Sequence, residues 1–487
     1  MAALVWHRLA AVYSAGMRIG LVCLLLAVGS AGADWPRFRG PNGSGVGDGT
    51  GLPVEFGPAK NVVWKTAVPF GRSSPVVVGS RVFLTASEGG TLLTLAYDLK
   101  TGKEVWRRAL KPAGLKAVYK SNDPASPTPA SDGKSLYVFF QDFGLISYSL
   151  EGKERWRHPL GPFASFYGIA SSPVVVNGLV VILCDQIKGS FALAVDAATG
   201  KQKWRRERPE APDGWAVPVV FEDQIVMVGS TRVDGYQIST GETRWWMALN
   251  SNGSMGSAVI HGDTVLVTAA GADQPWMPSF AAALTKLDKN GDGMLSAEEA
   301  KDEKDWFEHF GWVDADGNRL LTAAEWDASR QFGVGEYGAV AIPLRMKGKL
   351  EGSAVKWRLK RNLPYVPSAL LYEGVLYLVK DGGIVSSVDP GTGAILKQGR
   401  ATGALGEYFA SPVAADGKIY TVSGEGKMAV LKAGAEWEVL AVNELGEEVN
   451  ATPAISGGRI VVRTRGTLYS FGLRRGLGEG CAGDRRH

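Results

Sequence analysis

The chain is poor in cysteine, with three in 487 residues. No CxxC or CxxCH pattern joins them, which excludes a thioredoxin-type centre and covalently attached c-type haem. Cys23 lies in an apolar amino-terminal run and Cys481 in a Gly/Arg tail, while Cys184 ends the apolar run 180–184 and reads as a small core residue. There is no basic block of nucleic-acid footprint size, and a net charge of +4 implies no such partner. His158, His261, His309 and His487 are scattered, and none stands in a serine or cysteine nucleophile signature. The glycine-rich stretch 43–49 lacks GxGxxG and the Walker lysine, so it reads as an extended lead-in and not a phosphate cradle. Carboxylates such as Asp132, Asp196 and Asp389 are turn residues. The sequence therefore assigns no catalytic residue.

Long apolar runs are also missing. The run Ile19 to Val28 is too short to span a bilayer. It follows Met17-Arg18 and precedes Gly29-Ser30-Ala31-Gly32-Ala33, the pattern of a secretory signal peptide cleaved after Ala33. Residues 1–16 read as an extension ahead of Met17. The expected location is periplasmic or secreted, with no transmembrane anchor after cleavage.

Glycine and tryptophan, by contrast, are plentiful, at 63 and 15 residues. Glycine without a Gly-X-Y period, spread among Val/Ile/Leu runs, points to many short strands joined by tight turns. A repeat organises them. Its opening Ser/Ala-Pro-Val segment is read at Ser73-Ser74-Pro75-Val76, Ser126-Pro127-Thr128-Pro129, Ser171-Ser172-Pro173-Val174 and Ala216-Val217-Pro218-Val219. It returns at Gly256-Ser257-Ala258-Val259, Val366-Pro367-Ser368-Ala369, Ala410-Ser411-Pro412-Val413 and Ala451-Thr452-Pro453-Ala454. Each unit ends in a Thr-Gly-Lys-like turn and a tryptophan-bearing strand, as in Thr101-Gly102-Lys103-Glu104-Val105-Trp106. Residues 61–472, less an insert of about 65, leave about 43 for each of eight units, the size of a four-stranded propeller blade. The eighth unit runs out before its tryptophan strand, and Asn61-Val62-Val63-Trp64-Lys65-Thr66 supplies the missing piece. The expected fold is all-β, an eight-bladed β-propeller closed by its amino- and carboxy-terminal strands. Its tryptophans are expected to pack between blades.

These Ser-Pro-Val-Val and Thr-Gly-Lys-x-x-Trp units resemble the pyrroloquinoline-quinone-like (PQQ-like) repeat family. That family includes quinoprotein dehydrogenases and the outer-membrane assembly propeller. The opening Asp34-Trp35-Pro36-Arg37-Phe38-Arg39-Gly40-Pro41-Asn42 is similar to the mature start of secreted bacterial members. The resemblance implies the fold and leaves the function open.

The spacing breaks once. Trp245 and Trp357 stand 112 residues apart, against 41 to 50 between earlier neighbours. The surplus carries Asp288, Asn290, Asp292, Met294, Ser296 and Glu299 at the ligand positions of an EF-hand loop, with Gly293 at its sharp turn. A second loop offers Asp314, Asp316, Asn318, Leu320, Thr322 and Glu325, with Arg319 where glycine is usual. Positive φ at Arg319 costs about 1 kcal/mol, so this loop is expected to bind Ca²⁺ more weakly. Leu295 is apolar, as pairing between loops requires. Residues 300–313 must serve as a single shared helix or two very short ones, on which Trp306, Phe307 and Phe310 can form one face, and Phe280, Ala283, Leu284 and Leu287 are expected on the entering helix. Residues 276–335 hold six more acids than bases.

The domain reading is therefore a signal peptide (1–33), a lead-in (34–60), propeller (61–275), a small α-helical EF-hand insertion (276–335), propeller (336–473) and a tail (474–487). Loops at one mouth carry Tyr167, Trp215, Met255, Tyr365 and Tyr408, an aromatic ring suited to a peptide or glycan. The expected function is a monomeric, calcium-binding, non-catalytic interaction or assembly scaffold in the cell envelope, its partner an envelope or secreted protein, or a glycan. The alternatives are a PQQ-dependent dehydrogenase and a polysaccharide-binding module. PQQ is not the favoured cofactor, because the larger scaffold, the vicinal cysteines and the calcium-holding set implied by the dehydrogenases have no counterpart in this sequence.

Overall fold

The computed structural model describes residues 34–473 except 117, 166, 210–211 and 252–255. The signal-peptide and tail readings lie outside the described residues. Eight antiparallel sheets of the blade type form the molecule. In the first, Val76–Val78, Arg81–Glu88, Thr91–Asp98 and Glu104–Leu110 pair in sequence order. Short inner strands follow the repeat openings, as the Pro-Val-Val segments predict, because proline holds the residue before it extended. The second and third strands of each blade are almost wholly buried. Outer strands alternate, and the third blade's Gln202–Glu207 buries only Trp204.

The eighth sheet closes as expected. Val62–Ala67 pairs antiparallel with Thr467–Phe471, placing Trp64 opposite Ser470. Buried clusters are shared between neighbours, and one joins the first blade to the seventh and eighth.

Two repeated devices hold blade to blade. At each repeat opening, the residue just before the proline or alanine donates its amide to the hydroxyl of its counterpart in the next blade. Ser74 donates to Thr128, Thr128 to Ser172, Val217 to Ser257, Ser257 to Ser368, Ser368 to Ser411, Ser411 to Thr452, and Thr452 back to Ser74, all at 2.9–3.0 Å. Only the step into Val217 lacks a hydroxyl to accept.

The second device uses tryptophan. The indoles of Trp64, Trp106, Trp156, Trp204 and Trp357 donate at 2.8–2.9 Å to carbonyls of Leu99, Leu150, Ala197, Ile238 and Pro390 in the following blade. Each ring lies on that blade's turn glycine. A Cβ on Gly200, at φ +71°, would meet Trp156 ring carbons at 2.6 Å. The tryptophans therefore pack between blades, as expected.

Blade five departs from the pattern. Its sheet is Val259–His261, Thr264–Ala269, Gly338–Pro343 and Arg358–Leu359, with the insertion between the second and third strands. It has no Thr-Gly-Lys turn. The connection instead adds Gly348–Leu350 in parallel to the edge of blade four. Trp245 lies instead against Gly235 of its own sheet and donates to Gln224 of its own blade at 2.8 Å.

The lead-in runs across the inner-strand ends. Trp35 bridges Val77, Ser131 donates to the Pro36 carbonyl at 2.8 Å, and Val46 bridges Ala414. Leu52 and Phe56 are buried against blades seven and eight.

The hydroxyl belt makes two opposite predictions for denaturant unfolding. Ser411→Ala leaves the buried Ser368 amide without its acceptor and is expected to lower stability by about 1–3 kcal/mol. Val217→Thr supplies the missing hydroxyl and is expected to raise stability by about 0.5–1.5 kcal/mol. Equal, near-zero effects would remove the belt from the account of closure.

Candidate functional site

The belt rings the floor of an axial cavity of about 360 Å³, lined at that level by Ser74, Thr128, Ser172, Val217, Ser411 and Thr452. The connections leading into the inner strands build its walls. Four of the five anticipated surface residues line it: Tyr167, Trp215, Tyr365 and Tyr408. Met255 lies outside the described residues. The four differ in exposure. Tyr365 is 41% exposed, whereas Trp215 and Tyr408 are buried. Trp215 donates its indole N–H to the Gly168 carbonyl at 2.7 Å, and Tyr408 donates its hydroxyl to the Ala404 carbonyl. Trp215 is thus held by the neighbouring connection and Tyr408 by its own loop, and both offer the cavity a ring face or edge. Burial pushes the phenols of Tyr167 and Tyr408 far above their ordinary range, so both stay neutral donors.

Three wall residues are not apparent from the sequence. Tyr119, in the connection between blades one and two, meets Tyr167 edge-on at 5.1 Å, and Tyr167 meets Trp215 at 5.7 Å. Phe409 and His309 also line it. His309 comes from the helical insertion and stacks on Tyr119 at 6.1 Å. A run of rings therefore passes from the insertion to the loops of blades three and four. Above the hydroxyl floor the charged side chains are few. Arg72 is paired with Glu448 at 3.3 Å, and Asp381 accepts the Tyr408 amide at 2.7 Å, while Asn122, Glu407 and Asn450 also face the cavity.

The insertion folds around its own small core. Phe280–Leu287 and Ala323–Gln331 flank it, and Phe280, Leu287, Phe310, Val313 and Trp326 are buried together. Two short helices, Lys304–Glu308 and Phe310–Val313, join the loops. One expectation fails here. Phe307 is 48% exposed and Trp306 only partly buried, because the break at His309 turns the first short helix away from the core. Leu295 pairs with Leu321 in a two-stranded ladder.

Both loops are drawn inward by their acids. Asp288 accepts the amides of Gly291 and Gly293, and Asp314 those of Gly317, Asn318 and Arg319. Glu299 and Glu325 close capping boxes with Ser296 and Thr322. The Ser296 amide holds the Glu299 carboxyl below the usual range. Arg319 takes φ +70°, the conformation the sequence anticipates. Among the described residues, oxygens of Asp314, Asp316 and Glu325 lie within 4.8 Å of one another.

The insertion sits on the mouth. Lys120 pairs with Glu308 at 3.6 Å, and Trp276 meets His309 at 6.3 Å. A second cavity of about 220 Å³ lies between insertion and propeller, walled by Trp276, Trp312, Phe332 and Val334 on one side and Tyr167, Trp215 and Tyr365 on the other. Nearby, Asp213 is buried among Ser165 and Trp312, and burial raises its carboxyl to about 7. An acid whose pKa is raised on folding stabilises the fold at low pH and costs stability as pH climbs through the folded value. The unfolding midpoint is therefore expected to fall between about pH 4 and 7, with Asp213→Asn flattening the difference. A variant that follows the wild-type pH curve would contradict this.

A family model described as outer membrane protein assembly factor BamB matches residues 46–218 and 188–477. The quinohemoprotein alcohol dehydrogenase ADH IIB of Pseudomonas putida is 34% identical over 115 residues, which is 23% of this chain and only 17% of that relative's length. BamB from Moraxella catarrhalis superposes with a TM-score of 0.54 at 10% identity, covering 85% of this chain and 98% of that one. The quinohemoprotein alcohol dehydrogenase of Comamonas testosteroni superposes with 0.55 at 13% identity, covering 91% and 81%. At such identities these structures speak for fold. Since the family model spans most of the propeller, the chain belongs to the PQQ-like repeat family.

Proposed function

We propose that this chain is an exported, calcium-binding propeller acting as a non-catalytic protein-interaction or assembly scaffold in the cell envelope, with its aromatic mouth as the docking surface. The reading joins a signal peptide at 1–33, a propeller at 61–275 and 336–473, and an EF-hand insertion at 276–335. The observation that carries it is the composition of the mouth: a wall of rings above a floor of hydroxyls, with few charged groups and part of the wall supplied by the insertion. Rings with a polar edge suit an extended peptide segment. The assembly-factor description of the family agrees with a protein partner. Among the described residues, no helix is long and apolar enough to cross a membrane.

The dehydrogenase reading draws on the 34% identical stretch. PQQ carries three carboxylates. In the axial cavity it would face Asp381 and Glu407 against one arginine, already paired with Glu448. The group of acids with converging oxygens lies in the insertion, not in the cavity. The residues present do not fit that cofactor with its calcium. The polysaccharide reading shares the aromatic wall, and affinity for insoluble glycans without turnover would favour it.

Calcium binding would be carried by Asp288, Asn290, Asp292, Met294, Ser296 and Glu299 in one loop, and by Asp314, Asp316, Asn318, Leu320, Thr322 and Glu325 in the other. Terbium is expected to luminesce on excitation of Trp306, Trp312 or Trp326, weakly in Asp288→Ala and not at all when Asp314→Ala is added. Silence in the wild type rejects the metal assignment. For the mouth, the wild type is expected to capture a defined set of proteins from envelope extract, and Tyr365→Ala to lose at least tenfold of that capture while keeping its unfolding midpoint. A bound chromophore and alcohol-dependent dye reduction on adding PQQ with calcium would replace this reading by the dehydrogenase.

A further inference from the structure

Four arginines are buried almost completely: Arg37, Arg39, Arg208 and Arg463. Two have carboxylates to balance them. Arg208 bonds Asp185 at 2.8 Å and Asp234 at 2.6 Å, and Arg463 lies in the favourable field of Asp123. Arg37 and Arg39, in the lead-in, have none. Among the described residues neither makes an ion pair, and the charge acting on Arg39 is the repulsive one of Arg37. Burial lowers Arg37 to about 10, and burial with that repulsion lowers Arg39 to about 9.

Their hydrogen bonds are incomplete as well. Arg37 donates through Nη2 to the Pro218 carbonyl at 3.0 Å, and Arg39 through Nη2 to the carbonyls of Ala369 at 2.5 Å and Ser44 at 3.3 Å. Nε of Arg37, and Nε and Nη1 of Arg39, are buried without a protein partner. The backbone wraps the two heads closely. Gly43 and Gly45 hold φ +65° and +76°, and a Cβ there would come within 2.8 and 2.9 Å of the Arg37 and Arg39 Nη2 atoms. Pro218 and Ala369 open inner strands of blades four and six, so both guanidiniums reach toward the axis, while Phe38 between them lines the axial cavity.

Two buried like charges with free donors call for a negative charge, since an unpaired buried ion is strongly disfavoured. We propose that Arg37 and Arg39 together hold one compact monovalent anion of the halide type where the lead-in crosses the inner-strand ends. The close approach of the backbone at Gly43 and Gly45 restricts the space to a small ion, and the Leu370 side chain adds an apolar flank that suits a weakly hydrated one.

The test uses the full chain, dialysed exhaustively into sodium gluconate and then titrated with chloride or bromide at constant ionic strength. The unfolding midpoint is expected to rise by several degrees and saturate, as binding to the folded state alone requires. Arg39→Met is expected to lose the halide increment. Because that variant also removes buried contacts, wild-type crystals soaked in bromide give an independent readout. An anomalous peak at the two guanidiniums supports the site. Coincident midpoints in gluconate and halide, or bromide peaks only elsewhere, overturn it.

Discussion

A backbone amide at the start of one blade, bonded to a hydroxyl at the start of the next, is the contact that turns eight sheets into a ring. Hydrophobic burial between blades is larger in energy but has no direction, and it tolerates sliding of one sheet along another. The amide–hydroxyl link has direction, and the residues that make it are almost wholly buried. Seven such links, each built on a residue held extended before the strand, set the height of every blade relative to its neighbours. The indole-on-glycine contact repeats the restraint at the outer edge of five of the eight junctions.

The candidate site follows from that frame. The inner strands converge at the belt, and the connections leading into them rise around one mouth. One of these, between blades one and two, is longer than a turn requires and brings Tyr119 and Lys120, and from between the second and third strands of blade five comes the helical insertion. The two meet at His309 and Glu308, so the insertion leans across the mouth to the far loops. The aromatic wall is therefore composite, and neither part encloses both cavities alone.

The wheel was readable in the amino-acid sequence because each blade repeats the same local devices: a hydroxyl before proline, a glycine turn and a tryptophan on an outer strand. Even the chain-end pairing was legible, since Trp64 is the piece the eighth unit lacks. Blade five was legible only as an interruption. Its strand Gly348–Leu350 pairs with the edge of another blade, and nothing in its own pattern names that partner. Tyr119 and His309 escaped because their meeting depends on how a folded insertion docks. Phe307 does not share the buried face of Phe310 because, of the two arrangements the spacing left open, the chain takes the two very short helices, broken at His309. The strain at Arg319, by contrast, could be read from one residue type at one loop position.

The strand that completes the eighth sheet, Val62–Ala67, lies near the beginning of the chain, and its partner Thr467–Phe471 near the end. The earliest part of the wheel to be synthesised must wait for almost the last. Until then Trp64 has no Ser470 opposite it, and the first blade lacks the neighbour that covers its flank. The whole ring is thus one cooperative unit in time as well as in space: a polypeptide still being made holds open sheets, and closure comes as a single late event when its two ends meet.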